Sequence, residues 1–329
     1  MTTFDDRPGT APRGTVVPGR LFVDDRGEMA QLHGIGIVRL ADGLFWAWGE
    51  DKRNGAAFGG VACYSSPDLA TWTWRGHALA VDPDVPDLAP GRIIERPKVI
   101  PRSDGTYVML LHVESPDYSD ARVGWAVADR PEGPYTYLRS ERPLGNLSRD
   151  IGVFVDDDGA GYLLSEDREH GLHVYRLSAD YLAVEELVST TLAKPGDHPA
   201  GEHGYESPTI VKVDGLYYLV GSDLTGWSTN DNQYATATSL AGPWSEWRDV
   251  APPGSATYDS QTSVVLSIVG PETASHVYLG DRWRRDDLAH SAPVWLPMTI
   301  GDGEARIEWC ESWTLDPVTG VVTPSTAGS

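Results

Sequence analysis

The chain has 329 residues, 40% of them hydrophobic and 22% charged, which is enough to bury a sizeable core in one or two domains. A formal net charge of −22 excludes the polyanion binders, since nucleic acid and anionic membrane are held by Lys and Arg, and it leaves a neutral partner open. Two cysteines, Cys63 and Cys310, supply neither a disulfide framework nor a zinc site.

Residues 1–20 are rich in Pro, Gly and Thr without periodicity and read as a mobile arm. They contain no apolar segment of signal-peptide type, and no run of about 18 apolar residues follows, so the sequence as written reads as cytoplasmic. From there one pattern recurs. Asp42-Gly43 precedes LFWAW, Asp104-Gly105 precedes TYVMLL, Asp158-Gly159 precedes AGYLL, and Asp214-Gly215 precedes LYYLV, at spacings of 62, 54 and 56 residues. Asp-Gly tolerates positive φ and favours tight hairpins. A fifth strand, His276 to Trp283, keeps the period without an Asp-Gly turn. Two later segments, Ala128 to Tyr135 and Ser239 to Trp244, resemble each other, and Ser66 to Trp72 is a looser copy.

Units of roughly 60 residues with about four strands each, and no long amphipathic helical stretch, predict an all-β chain folded as a five-bladed β-propeller. The domain is expected over 21–320, with a mobile tail over 321–329. The first strand of each blade should line the central channel, so the residues that open these strands should converge at one mouth. They are His33-Gly34 in blade one, Glu95-Arg96 in blade two, Asp150 in blade three, Glu206 in blade four and Gln261 in blade five. Three carboxylates and one carboxamide thus fall at equivalent places. Clustered buried acids are costly unless function keeps them. The structural alternative is a ring of acids paired with Arg96, Arg149 and Lys98 to hold the blades together.

These residues carry a resemblance. The segments QLHGIGIVRLADGLFWAWGEDK (31–52), ERPKVI (95–100), SRDIGVFVDDDGAGYLL (148–164), YESPTIVKVDGLYYLVGS (205–222) and YDSQTSVV (258–265) are similar to glycoside hydrolase family 43, most of all to its exo-β-1,3-galactanase subgroup. The resemblance implies an inverting, exo-acting hydrolase that releases β-linked galactose from galactan-type oligosaccharides. It implies Glu206 as general acid and Asp150 as the residue that tunes it. Most of the family has a blade-one Asp as general base; this chain has His33-Gly34 there, the gap shown by the galactanase subgroup. In that subgroup a blade-five glutamine is the proposed base, matching Gln261, and a blade-two glutamate matches Glu95. Chemically, Gln261 can act as a base only through an imidic-acid tautomer or else orient water, and Glu95 is the ordinary alternative. Both remain open from sequence.

Glu50, Glu166, Trp227 and His33 are further candidates for contact with sugar, each with a structural alternative: a salt bridge for the acids, core packing for the Trp and His. The 12 Trp and 14 Tyr suit sugar faces as well as half-buried sheets. The Asp156-Asp157-Asp158-Gly159 run resembles a calcium loop but lacks the rest of such a motif and reads as a solvated turn, so no cofactor is expected. The expected partner is a neutral oligosaccharide, with no nucleic acid and no membrane. Competing readings are an α-L-arabinofuranosidase or β-xylosidase on the same fold, which the missing blade-one Asp disfavours, and a non-catalytic sugar-binding propeller.

Overall fold

A computed structural model describes residues 14–191, 203–271 and 273–325. Five antiparallel meanders of four strands follow one another along the chain. Their inner strands are His33–Arg39, Ile93–Pro101, Ile151–Val155, Glu206–Val213 and Gln261–Val269. Each inner strand turns directly into the second strand of its own sheet: Phe45–Glu50, Tyr107–Glu114, Gly161–Asp167, Leu216–Ser222 and Ala274–Arg282. The Asp-Gly pairs sit at four of these turns, with Gly43, Gly105, Gly159 and Gly215 at φ of +83°, +86°, +82° and +78°. In three of them the aspartate side chain accepts from the backbone N–H two residues on, at Leu44, Thr106 and Ala160.

The second strands show why the blades stack. Along Tyr107–Glu114, Val108 and Leu110 pack with Trp125, Leu163 and Tyr175 toward the third sheet. Their neighbours Met109 and Leu111 pack with Trp48 and Cys63 toward the first sheet. Successive side chains of a strand point to opposite faces, so a strand buried on both sides reads as a continuous apolar run. The inner strands touch their neighbours in cyclic order, the fifth closing onto the first.

The expectation of five blades is corrected by the sheet count: the described residues form six sheets. The sixth has three strands, Thr15–Val16, Trp313–Leu315 and Val322–Pro324, with Thr15 opposite Thr314 and Trp313 opposite Pro324. Its strands are two and three residues long, too short for periodicity to reveal, and two of them fall in segments whose Pro, Gly and Thr content reads as arm or tail. What holds the sheet is burial of Val16, Trp313 and Leu315 against Ile35 and Phe45 of the first sheet, Trp72 just before its last strand, and Trp295 of the fifth. The remainder of the expected arm (1–13) and tail (326–329) lies outside the described residues. Among the described residues no helix is long and apolar enough to cross a membrane.

Candidate active site

Four of the five residues that open the inner strands converge, and His33 of the first does not join them. Glu95, Asp150, Glu206 and Gln261 line one open pocket of about 780 Å³ together with Glu50, Arg96, His112, Tyr118, Glu166, Arg168, Trp227 and Trp283. Local backbone irregularity aims them there. The inner strands slip register between His33 and Gly36, Glu95 and Lys98, Glu206 and Thr209, and Thr262 and Val264. At three of these bulges the residue after the site residue takes positive φ: Gly34 (+56°), Arg96 (+50°) and Ser207 (+52°). A bulge bends a strand and re-aims its side chains. Pro97 and Pro208 follow directly, and the residue before a proline is steered away from the right-handed helical region. Gln261 is delivered differently, by a left-handed turn, Ala256–Asp259, whose four φ values lie between +49° and +60°. Such geometry costs about 1–2 kcal/mol per non-glycine residue, so it needs fixing from outside. Buried Asn232 does much of this: its N–H donates to Thr257 Oγ1, and its Oδ1 accepts from the Thr262 N–H and the Tyr278 hydroxyl.

Glu206 is 6% exposed. Its Oε2 accepts from the Gly226 N–H and from Gln261 Nε2, both at 3.1 Å, and its Oε1 accepts from Arg168 at 3.2 Å. Burial pushes its carboxyl up to about 8, with the charges of Asp150 and Glu166 adding to the rise and Arg168 and Arg96 opposing it. Asp150 goes the other way: burial would raise it, but Arg96, 2.8 Å from Oδ2, and His112 hold it well below the usual carboxylate range. Two neighbouring carboxyls are thus driven apart, one kept as acid and one as anion.

Glu95 accepts from Lys52 at 2.8 Å and from the Tyr118 hydroxyl at 3.3 Å, both on Oε1, while its Oε2 faces His112 Nδ1 at 3.6 Å. His112 titrates near 9: burial would lower it, but Asp150, Glu114 and Glu95 together raise it. Gln261 has every amide position filled. Its Oε1 accepts from Arg96 (2.6 Å) and from the Trp283 indole (2.8 Å), and its Nε2 donates to Glu206 and to Ser222 Oγ (2.9 Å).

The secondary candidates divide. Trp227 lines the pocket edge-on to Trp283, with ring centroids 4.9 Å apart. Glu50 lines it too but is committed to the Arg96 N–H at 2.9 Å and to Lys52 at 2.8 Å. Glu166 is fully buried and holds Arg168. His33 is not among the lining residues; its Nδ1 lies 3.8 Å from Asp281. Arg96 and Arg149 also line the pocket, whereas Lys98 does not and donates to the Gly34 and Ile35 carbonyls.

Sequence reasoning missed His112, Tyr118, Lys52, Arg168 and Trp283. A signal existed for His112. The residue opposite each inner-strand site residue lies on the next strand, and Glu95 pairs with His112 as Gln261 pairs with Asp281.

Donor atoms of Glu95, His112 and Asp150 lie within 4.8 Å of one another, close enough to share a cation. Lys52 and Arg96 already neutralise the two carboxylates, which disfavours a further positive charge. At the Asp156–Asp157 turn, both carboxylates hold Lys212 Nζ at 2.7 Å.

Residues 43–265 match Glycosyl hydrolases family 43. Among solved structures, an exo-β-1,3-galactanase from Phanerochaete chrysosporium with galactose is 36% identical, covering 95% of this chain and 71% of that one at a TM-score of 0.86. An exo-β-1,3-galactanase from Clostridium thermocellum is 32% identical, covering 96% and 70% at 0.88. A candidate exo-β-1,3-galactanase from Bifidobacterium bifidum s17 is 48% identical, covering 90% and 97% at 0.85. A β-D-galactofuranosidase from Aspergillus niger is 28% identical over 230 residues. The chain spans less than two thirds of the curated relatives it matches, 62% in that case. A match over two thirds of the chain, on a fold that these structures share over at least 90% of it, places the sequence: this chain belongs to glycosyl hydrolase family 43.

Proposed function

We propose that this protein is an inverting, exo-acting glycosidase that releases β-1,3-linked galactose from a neutral oligosaccharide, with Glu206 as general acid. One observation carries the reading: a buried carboxyl kept protonated near neutral pH stands in the wall of an open pocket beside a carboxylate kept ionised. The galactanase neighbours, similar along nearly the whole chain, support the sugar and the linkage.

Inversion needs a second group to take a proton from water on the opposite face of the sugar. Glu95 suits that step, because its hydrogen bonds from Lys52 and Tyr118 both fall on Oε1, which leaves Oε2, 3.6 Å from His112 Nδ1, to face the water. Gln261 serves as the brace between the acid and Arg96. Both its oxygen lone pairs already face N–H donors, which disfavours a tautomer with hydrogen on that oxygen. Asp150 stays anionic and raises the acid.

Incubation with β-1,3-galactobiose, followed by proton NMR of the first-formed sugar, tests the proposal. Release of α-galactose is expected. A β-product excludes inversion, and cleavage of aryl arabinofuranosides or xylosides with galactobiose untouched excludes the substrate.

A further inference from the structure

Glu206 has two oxygens in different surroundings, and the difference says which one carries the proton. Oε2 accepts two N–H donors, from Gly226 and Gln261, which occupy both of its lone pairs. Among the described residues Oε1 accepts one, from Arg168, and keeps a lone pair free. A neutral carboxyl accepts hydrogen bonds at its carbonyl oxygen and donates from the other, so the hydroxyl belongs on Oε1. Arg168 does not reach that oxygen unaided. Its Nε lies 3.0 Å from Glu166 Oε1, and its terminal nitrogen, 3.4 Å from Glu166 Oε2, is the one that meets Glu206. Glu166 is fully buried and lies at the end of the second strand of its sheet, so the anchor is rigid.

We propose that Arg168, tethered by Glu166, is a positioning residue that holds Oε1 of Glu206, the oxygen from which the proton leaves, in place for the transfer. This rests on Glu206 being the general acid. In the step, the proton passes from Oε1 to the glycosidic oxygen. The bond from that oxygen to the anomeric carbon breaks, and its electron pair leaves with the oxygen. Water oxygen bonds to the anomeric carbon, and its proton goes to Glu95. Glu206 is left as a carboxylate beside Arg168, so the guanidinium meets a full negative charge only after transfer. The two members of the pair pull the acid in opposite directions: Arg168 favours its ionised form, and Glu166 disfavours it.

The test is the pH dependence of kcat/KM on β-1,3-galactobiose and on an aryl β-galactoside, with a carbon-13 NMR titration of the Glu206 carboxyl in the same variants. Arg168→Gln should move the basic limb and the carboxyl titration up. It should lower kcat on the disaccharide roughly tenfold, with a smaller loss on the aryl substrate, which needs less protonation. Glu166→Gln should move both down. Arg168→Lys should restore part of the position, and it keeps the charge if Arg168→Gln fails to fold. A residue that only stabilised the fold would not produce shifts of opposite sign. Unmoved limbs and titrations in folded variants, while Glu206→Gln is inactive, overturn the inference. Activity retained in Glu206→Gln overturns instead the acid assignment beneath it.

Discussion

At the scale of single residues, the site is a set of charges sorted by their neighbours. Glu206→Gln keeps the shape and removes the transferable proton, so turnover of an unactivated substrate should fall by roughly 10²–10⁴-fold, and less for an aryl glycoside. Steady-state kinetics on both substrates checks this. For the wild type, activity should hold through neutral pH and decline as Glu206 ionises near 8. The same group gives a stability signature. Its folded value lies above the ordinary 4.5, so its contribution is fully present below 4.5 and is lost as pH rises toward about 8. Thermal melts should therefore show Glu206→Gln gaining on the wild type across that window and levelling off above it.

Gln261→Ala leaves Arg96 and Trp283 without their acceptor and the acid without one donor, so kcat should drop strongly with a smaller effect on KM. Glu95→Gln should be rescued in part by azide if Glu95 receives the water's proton, and Gln261→Ala should not. Rescue of the Gln261 variant alone would reverse the two roles.

At the scale of strands, the hairpins were legible and the bulges were not. Asp-Gly followed by apolar residues announces a tight turn because both residues suit it, and four such turns stand where the pairs predicted. Nothing comparable marks Arg96 and Ser207, side-chain-bearing residues in a conformation that usually selects glycine; only the prolines after them hint at it. Arg168 and Trp283 escaped for another reason. They lie in the loop or at the end of a second strand, and only folding brings them to the pocket. The bulges also set how close the inner strands come. A Cβ on Gly152 would lie 2.0 Å from the Pro208 carbonyl oxygen, and one on Gly36 would lie 2.2 Å from that of Pro97. Both obstacles are backbone and cannot swing aside. Gly152→Ala should therefore cost about 1–3 kcal/mol or more. Chemical denaturation would register this as a lower midpoint, and an unchanged midpoint would show that the inner ring can widen.

At the scale of the molecule, the sixth sheet was invisible in sequence because its worth lies in three side chains spread from Val16 to Leu315 rather than in a pattern. Trp313 is 1% exposed and donates its indole N–H to the Trp295 carbonyl at 2.8 Å. Trp313→Ala should cost about 3–5 kcal/mol, seen as a drop in melting temperature with little change in KM, since the residue is absent from the pocket lining. A large KM effect at unchanged stability would mean that the sheet speaks to the site.

That sheet also imposes an order of events in the cell. Thr15–Val16 leaves the ribosome about 300 residues before its partner Trp313–Leu315, so the face formed by Ile35 and Phe45 of the first sheet and the adjoining Trp72 must wait for nearly the whole chain before it is fully covered. At a synthesis rate of about 5–20 residues per second, that wait is of the order of 15–60 seconds. Nascent chains stalled before the fifth sheet and Trp313 are made should therefore recruit chaperones or aggregate through that face, whereas release of a chain that includes Leu315 should end the hazard.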